Sequence, residues 1–264
     1  MIDGQLTDDV SKRCVVWQSY CDESGQSVVG LRDKIMDPKL SPESFADYIL
    51  DYPLPIFMHK DGAIALPPGT TLRRLLDPET RPESVKKITN GITLQDCANV
   101  LSLMHGGIKL KPHGVVELRG TDASYELRYA LAALSVGLFF DEESLAKAHA
   151  MVTDWTQEDR AYLSLHAPRI GLKTNFRDGT VQDIAAQLCR WAREGLERRG
   201  LGEASLLDPL SEIAEGRALC LSDRIAEKIR DGSSPLDVLK ESAIPQPKKP
   251  LSSPQASPKS DLKK

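Results

Sequence analysis

The chain has 264 residues, of which 41% are hydrophobic and 27% are charged, and its formal net charge is −4. This length suffices for one sizeable core or two small ones, and no apolar run of about 18 residues or more predicts a membrane-spanning helix. The five cysteines are widely spaced and form no Cys-x-x-Cys motif, which argues against a zinc site and against a disulfide framework.

The carboxyl-terminal tail differs in composition from the rest of the chain. Residues 248–264 carry a net charge of about +4, which leaves about −8 for the preceding residues. An acidic body without a basic, aromatic-rich patch argues against nucleic-acid binding. The tail is rich in Pro, Ser and Lys, so we predict one folded domain over residues 1–244 and a disordered tail over 245–264.

The first residues, 1–5, are acidic and polar and do not resemble a secretory signal, so the expected compartment is the cytoplasm. Residues 12–20 are rich in β-branched and aromatic side chains and predict a strand, with Arg13 on the same face as Val15 and Trp17.

Four local signals follow along the chain. Ser41 before Pro42 predicts the start of a helix that ends before Pro53. The pair Asp61 and Gly62, between two apolar runs, predicts a β-hairpin. Apolar periodicity predicts two further helices, over about 71–76 and 93–104.

The stretch at 115–122, Val-Val-Glu-Leu-Arg-Gly-Thr-Asp, predicts a short strand that carries charged side chains. Residues two apart in an extended chain share a face, so Glu117 and Arg119 should project to one side while Val116 and Leu118 pack on the other. A solvated ion pair on an edge strand explains the same pattern without any function.

Beyond this strand, which is expected to pair with residues 108–111, the chain is predicted to be almost entirely helical. The predicted helices cover about 125–138, 141–152, 156–168, 180–199, 206–215 and 222–229. The predicted fold class is therefore α+β, with a partial antiparallel sheet in the first 120 residues, packed by helices, and a helical carboxyl-terminal half.

The charged strand and its surroundings resemble the plant and proteobacterial type of glutamate–cysteine ligase. The Leu-Glu-Met-Arg-Gly-Ala-Asp strand of that family is similar to residues 116–122, and its helix ending in Val-Gly-Leu is similar to 136–138. The similarity continues through 154–156, 171–179 and 195–200, and upstream it includes 11–13, 45–48 and 51–55. It covers roughly residues 10 to 230.

The resemblance implies an incomplete glutamine-synthetase-like ligase fold and an ATP-dependent enzyme that joins the γ-carboxylate of L-glutamate to L-cysteine through γ-glutamyl phosphate, the first step of glutathione biosynthesis. Phosphorylating a carboxylate requires Mg²⁺ on the nucleotide phosphates, and Mg²⁺ prefers oxygen ligands, so Glu117 is the candidate metal ligand. Arg119 is the candidate for binding ATP and stabilising the transferring phosphoryl group, because a planar guanidinium binds two oxygens at once.

The resemblance also points to weaker candidates. Arg13 matches an arginine of the family and is a second catalytic candidate for binding a carboxylate or phosphate, with a plain surface role as the alternative. Asp122 is predicted at the nucleotide site, where it would orient Arg119 or hold a substrate amine, but capping the next helix explains it as well. Lys173 and Arg177 would approach the nucleotide, or else fix a loop between two helices.

Two departures from the family pattern affect these expectations. Family members have an additional amino-terminal region with metal-binding glutamates, whereas one carboxylate does not satisfy Mg²⁺ ions that each take about six oxygens. We therefore expect either a second polypeptide that completes the site, or self-association at an open sheet edge. The alternative is a non-catalytic, ligase-like binding or interaction protein. Residues 123–128 also replace the Gly-Gly-Pro-Trp-Arg-Arg segment of the family with one residue fewer.

Overall fold

The computed structural model describes residues 5–18, 39, 41–54, 56–59, 62–86, 91–103, 108–110, 115–121 and 124–241. The helices in these ranges are α1 Lys12–Gln18, α2 Pro42–Leu50, α3 Leu72–Leu76, α4 Glu83–Lys86, α5 Leu94–Leu103, α6 Arg128–Phe139, α7 Glu142–Val152, α8 Gln157–Ile170, α9 Val181–Arg199, α10 Asp208–Ala214, α11 Leu221–Arg230 and α12 Pro235–Glu241. The strands are β1 Ile56–His59, β2 Gly62–Ala65, β3 Ile108–Leu110, β4 Val116–Leu118, β5 Asn175–Phe176 and β6 Gly179–Thr180.

The strands form antiparallel pairs, and the fold class is α+β as predicted. β1 pairs with β2, β3 with β4 and β5 with β6, with Phe57 opposite Ile64 and Lys109 opposite Glu117. The predicted hairpin at residues 61–62 is thus confirmed. The predicted single partial sheet is not found within the described ranges, where the strands make three separate two-stranded sheets.

The predicted strand over residues 12–20 is wrong, because residues 12–18 form the helix α1. This helix packs against α8, and the Ser11 N–H donates to the Pro168 carbonyl at 2.7 Å. Lys12 also pairs with Asp9 at 2.9 Å across the first turn. Packing against a neighbouring helix therefore outweighs the β-propensity of Val15 and Val16, since propensity differs by less than about 1 kcal/mol per residue.

The first half of the chain has its own apolar core, built from α2, β1, α3 and α4. α2 begins where predicted, because Ser41 and Ser44 form a reciprocal capping box and Pro42 occupies the first turn. The core consists of buried apolar side chains, namely Tyr48, Tyr52, Leu54, Phe57, Leu66, Leu72, Leu75 and Val85.

The helical half is organised around the crossing of α6 and α9. A Cβ atom added to Gly137 would lie 2.2 Å from the Ala192 carbonyl oxygen, and one added to Gly195 would lie 2.2 Å from the Gly137 carbonyl oxygen. The two backbones are therefore in direct contact, which only glycine allows. Buried alanine and leucine side chains surround the crossing, namely Ala133, Leu138, Ala192, Leu196 and Leu207.

An ionic cluster holds α7 to the end of α9. Asp141 accepts the Ser144 backbone N–H at 2.8 Å, which caps α7, and Arg198 donates to both oxygens of the Asp141 carboxylate at 3.0 and 2.6 Å. The Ser144 hydroxyl, which is fully buried, donates to the Trp191 carbonyl at 2.7 Å. The matches to the family at 136–138 and 195–200 thus include residues that hold α6, α7 and α9 together.

Most helices predicted in the second half are confirmed with shifts of a few residues, and α12 had no sequence prediction. Within the described part of the chain, no helix has the length and apolar character needed to cross a membrane. Residues 242–264 lie outside the described residues, so the division into a domain ending at 244 and a disordered tail stays a prediction.

Candidate functional site

A carboxylate and a guanidinium lie side by side at the end of β4, where Glu117 belongs to the strand and Arg119 directly follows it. The Arg119 Nε lies 3.4 Å from a carboxylate oxygen of Glu117, and the two side chains are 31% and 37% exposed. Both residues are therefore reachable from solvent yet partly covered by the protein. Such a pair offers a hydrogen-bond donor and a hydrogen-bond acceptor at one surface. A solvated ion pair with only a structural role has the same arrangement.

The apolar face of β4 is not packed as predicted. Val116 is 58% exposed and Leu118 is 39% exposed, and the preceding Val115 is 53% exposed. The expectation that Val116 and Leu118 pack in a core is therefore wrong. The alternation of side chains along the strand separates the charged face from the apolar face as predicted. No described element, however, buries the apolar face.

A second guanidinium meets the end of β4. Arg13, on α1, donates from Nη2 to the Arg119 carbonyl at 3.3 Å, although the two residues are 106 positions apart. The Arg119 Nη1 is itself buried and has no hydrogen-bond partner within the described ranges. The structure thus gathers two arginines and Glu117, and it is the helix α1, not a strand, that delivers Arg13.

The described residues do not form a metal site on their own. No group of three or more His, Cys, Asp or Glu side chains in those ranges is arranged to hold a metal ion. Glu117 supplies a single carboxylate, whereas Mg²⁺ takes about six oxygens. The carboxylates of the described ranges therefore do not by themselves fit a resident Mg²⁺ ion.

The segment that follows β4 is fixed by contacts other than those of the predicted site. Asp122 lies outside the described residues, so its predicted roles stay predictions. Glu126 pairs with Arg224 on α11, and this contact lowers the pKa of Glu126. The guanidinium of Arg128 stacks 3.8 Å from the ring centre of Tyr125. These contacts account for the charged residues of 124–128 without a substrate.

Arg177 is held by two carboxylates in a loop between helices. Its Nη2 donates to Asp159 at 2.7 Å and its Nη1 donates to Asp154 at 2.8 Å, and these bonds raise the pKa of Arg177. Its φ of 50° is the left-handed region, which few residues other than glycine adopt. This geometry favours the loop-fixing alternative for Arg177. Lys173 is exposed in the preceding turn, and its nucleotide role stays a prediction.

The loop around Arg177 also orients α9. Thr174 is fully buried and its hydroxyl donates to the Gly171 carbonyl at 2.7 Å, and Thr180 forms a capping box with Asp183. The long match to the family at 171–179 therefore has a clear structural purpose in joining α8 to α9.

Sequence reasoning did not anticipate a small cleft of about 240 Å³ between the segment after β4 and the helices α10 and α11. Its walls are apolar except for the charged side chains of Glu126, Glu212 and Arg224. None of the predicted site residues that the structure describes lines it. No local sequence signal pointed to this cleft, because its walls come from separate segments.

A comparison with known families matches residues 2–241 to the model of glutamate-cysteine ligase family 2. The chain therefore belongs to this family. Among curated proteins, the chloroplastic glutamate–cysteine ligase of Solanum lycopersicum is 31% identical over 214 residues, which is 81% of this chain and 39% of that protein. Glutamate–cysteine ligase A of Oryza sativa subsp. indica is 32% identical over 212 residues, which is 80% of this chain and 41% of that protein. This chain thus spans about 40% of the length of these relatives.

The relatives contradict the predicted cytoplasmic compartment. The matched proteins of tomato, rice and Nicotiana tabacum are all named as chloroplastic. The prediction rested on the composition of residues 1–5. This chain spans about 40% of the length of these relatives, so the composition of its first five residues does not indicate where the protein is located. The predicted cytoplasmic compartment was therefore wrong.

Proposed function

We propose that this chain forms part of an ATP-dependent glutamate–cysteine ligase, which joins the γ-carboxylate of L-glutamate to the amine of L-cysteine in the first step of glutathione biosynthesis. The observation that carries the proposal is the placement of Glu117, on β4, beside Arg119, which directly follows β4, with Arg13 at the same end of the strand. Family membership and the names of the relatives support it. Those names also support a plastid location.

The proposed reaction has two steps. A γ-carboxylate oxygen of glutamate attacks the terminal phosphorus of ATP and ADP leaves, which gives γ-glutamyl phosphate. The cysteine amine then attacks the acyl carbon, phosphate leaves, and the amine loses a proton as the amide forms. Both steps develop negative charge on phosphoryl oxygens, so each gains from fixed cationic donors.

Arg119 is suited to this role because its buried Nη1 has no hydrogen-bond partner in the described part of the chain. Arg119 carries its ion pair through Nε, so Nη1 can donate to a phosphoryl oxygen. Arg13 adds a second positive charge at the same strand end and keeps its roles as a proposed carboxylate or phosphate ligand. Asp122, Lys173 and Arg177 remain proposed nucleotide contacts with less support.

The proposal includes completion of the site by residues other than those that the structure describes. The relatives are about two and a half times as long as the matched segment, and Glu117 supplies too few oxygens for Mg²⁺. A complete glutamine-synthetase-like ligase fold has more residues than the matched segment, and a second polypeptide or self-association would supply them where the same polypeptide does not. The alternative is a non-catalytic, ligase-like binding or interaction protein, and the same assay distinguishes the two.

The test compares the charged pair on β4 with a matched pair elsewhere. Glu117→Gln should mainly weaken the use of Mg·ATP, whereas Arg119→Lys should mainly lower turnover, because one ammonium does not reproduce a planar guanidinium. Removing a charge stabiliser of this kind costs about a hundredfold in rate. The measurement is γ-glutamylcysteine formation, or ADP release that requires both amino acids, by the chain with whatever completes it.

The matched controls are Glu212→Gln and Arg217→Lys, since that pair is also exposed and lies at 3.2 Å. Both should keep wild-type activity, because a surface ion pair contributes only about 0–1 kcal/mol to stability. Full activity of the Glu117 and Arg119 variants would mean that these two residues have only a structural role. No activity in the unmutated, completed assembly would favour the non-catalytic alternative.

A further inference from the structure

The small cleft beside α10 and α11 is separate from the candidate site at the end of β4. It has a volume of about 240 Å³, which is room for a ligand on the order of ten non-hydrogen atoms and less than a drug-sized molecule needs. Most of its wall is apolar and is formed by Leu127, Pro209, Ile213, Ala218 and Leu219. Concave, mostly apolar surfaces with a few polar groups are the usual places where proteins bind small molecules.

The guanidinium of Arg224 provides a hydrogen-bond donor at this cleft. Its two terminal nitrogens donate to the Glu126 carboxylate, Nη1 at 3.4 Å, whereas its Nε is buried and has no hydrogen-bond partner in the described part of the chain. A buried donor without an acceptor is unfavourable, and an ionised acceptor forms the strongest bond with it. The Arg224 side chain as a whole is 39% exposed, so a small rotation suffices to bring Nε to a carboxylate in the cleft.

Glu126 places an acceptor next to that donor. Its carboxylate has about four acceptor positions, and Arg224 uses one on each oxygen. The Glu126 side chain is 57% exposed, so an ammonium group can reach the other positions. A ligand with only a carboxylate would meet the like charge of Glu126, and a ligand with only an amine would meet the like charge of Arg224. The pair therefore favours a head group that carries both charges.

We propose that this cleft binds a free amino acid with an apolar side chain. The ligand carboxylate accepts from the Arg224 Nε, its ammonium group donates to the Glu126 carboxylate, and its side chain packs on the apolar wall. Glutamate, a substrate of the proposed reaction, fits poorly because its second carboxylate would face that wall without a partner. None of the described candidate site residues lines the cleft, so this site is additional to the proposed function.

The experiment measures binding in the absence of ATP, glutamate and cysteine, so its outcome is independent of ligase activity. L-Leucine is the probe, because its side chain is apolar and its size fits the cleft. Isothermal titration calorimetry with the full chain should show saturable binding at one site. 4-Methylpentanoate lacks only the ammonium group of leucine, and 3-methylbutylamine lacks only its carboxylate. Each should bind at least about tenfold more weakly, because it loses one of two charge-assisted hydrogen bonds.

Substitutions in the cleft test where leucine binds. Arg224→Gln should weaken leucine binding at least about tenfold, and Ile213→Trp should abolish it by filling the cleft from α10. Arg230→Gln is the matched control, because it removes the same charge from the same helix at an exposed position that does not line the cleft. It should bind leucine like the wild type. Circular dichroism verifies the fold of every variant.

The decisive arm exchanges the ligand preference. Glu126→Gln removes the charge that repels a plain carboxylate and leaves Arg224 without its ionised partner. This variant should bind 4-methylpentanoate at least about tenfold more tightly than the wild type does, and leucine more weakly. A role of Glu126 in stability alone would not reverse the order of the two ligands.

Three results would overturn the proposal. The first is a wild-type chain that shows no saturable binding of leucine. The second is leucine binding that Arg224→Gln and Ile213→Trp both leave unchanged, which would place the ligand elsewhere. The third is a Glu126→Gln variant that binds 4-methylpentanoate no better than the wild type, which would contradict the roles assigned to the two charges.

Discussion

Replacing Gly195 with alanine tests the close backbone contact between α6 and α9. The added Cβ would lie 2.2 Å from the Gly137 carbonyl oxygen, 2.9 Å from the Ser144 hydroxyl and 3.0 Å from the Asp141 Cβ. The nearest of these atoms belongs to a backbone, so it does not rotate away. α6 and α9 must instead separate, which disturbs the bond from Ser144 to the Trp191 carbonyl.

The magnitude follows from two opposing effects. Alanine in a helix interior is favoured over glycine by about 1 kcal/mol, whereas overpacking a close contact costs about 3 kcal/mol at the upper end of its usual range. The net loss in the free energy of unfolding is about 2 kcal/mol. For a domain of this size, it lowers the melting temperature by about 4–8 °C.

Thermal unfolding followed by circular dichroism measures the effect. Glu197→Ala is the control, because Glu197 is exposed on the same helix and such changes stay within about 0.5 kcal/mol. A melting temperature for Gly195→Ala that equals or exceeds that of the wild type would refute the backbone contact between α6 and α9.

The remaining predictions concern acid stability and the tail. The pKa of Asp141 is held well below its ordinary value by hydrogen bonds from Arg198 and from the Ser144 N–H. The stability from this carboxylate is therefore complete above the unfolded-state pKa of about 3.9 and is lost as the pH falls toward the folded-state pKa. Asp141→Asn should lower the free energy of unfolding at neutral pH and make it fall less steeply as the pH is lowered. Urea unfolding at several pH values measures this, and a pH dependence equal to that of the wild type would contradict it. Removing the residues after Ala243 should leave the melting temperature almost unchanged, because a Pro-, Ser- and Lys-rich segment does not build a core, and a drop of several degrees would disprove it.

Local signals in the sequence predicted the elements whose stabilising contacts lie within a few residues. α2 begins at a capping box that Ser41 forms with Ser44, and the hairpin of β1 and β2 follows from its turn residues. The shared side of Glu117 and Arg119 was also predicted, since alternation along a strand is a property of the backbone. These features require no knowledge of what lies across the fold.

Tertiary contacts decided the rest. Residues 12–18 form a helix because they pack on α8, and that helix then carries Arg13 to the carbonyl of Arg119, a contact that spans 106 positions. The exposure of Val116 and Leu118 likewise depends on which elements face β4. A sequence pattern defines the two faces of a strand, but burial is a property of the surface opposite each face, and only the folded chain specifies that surface.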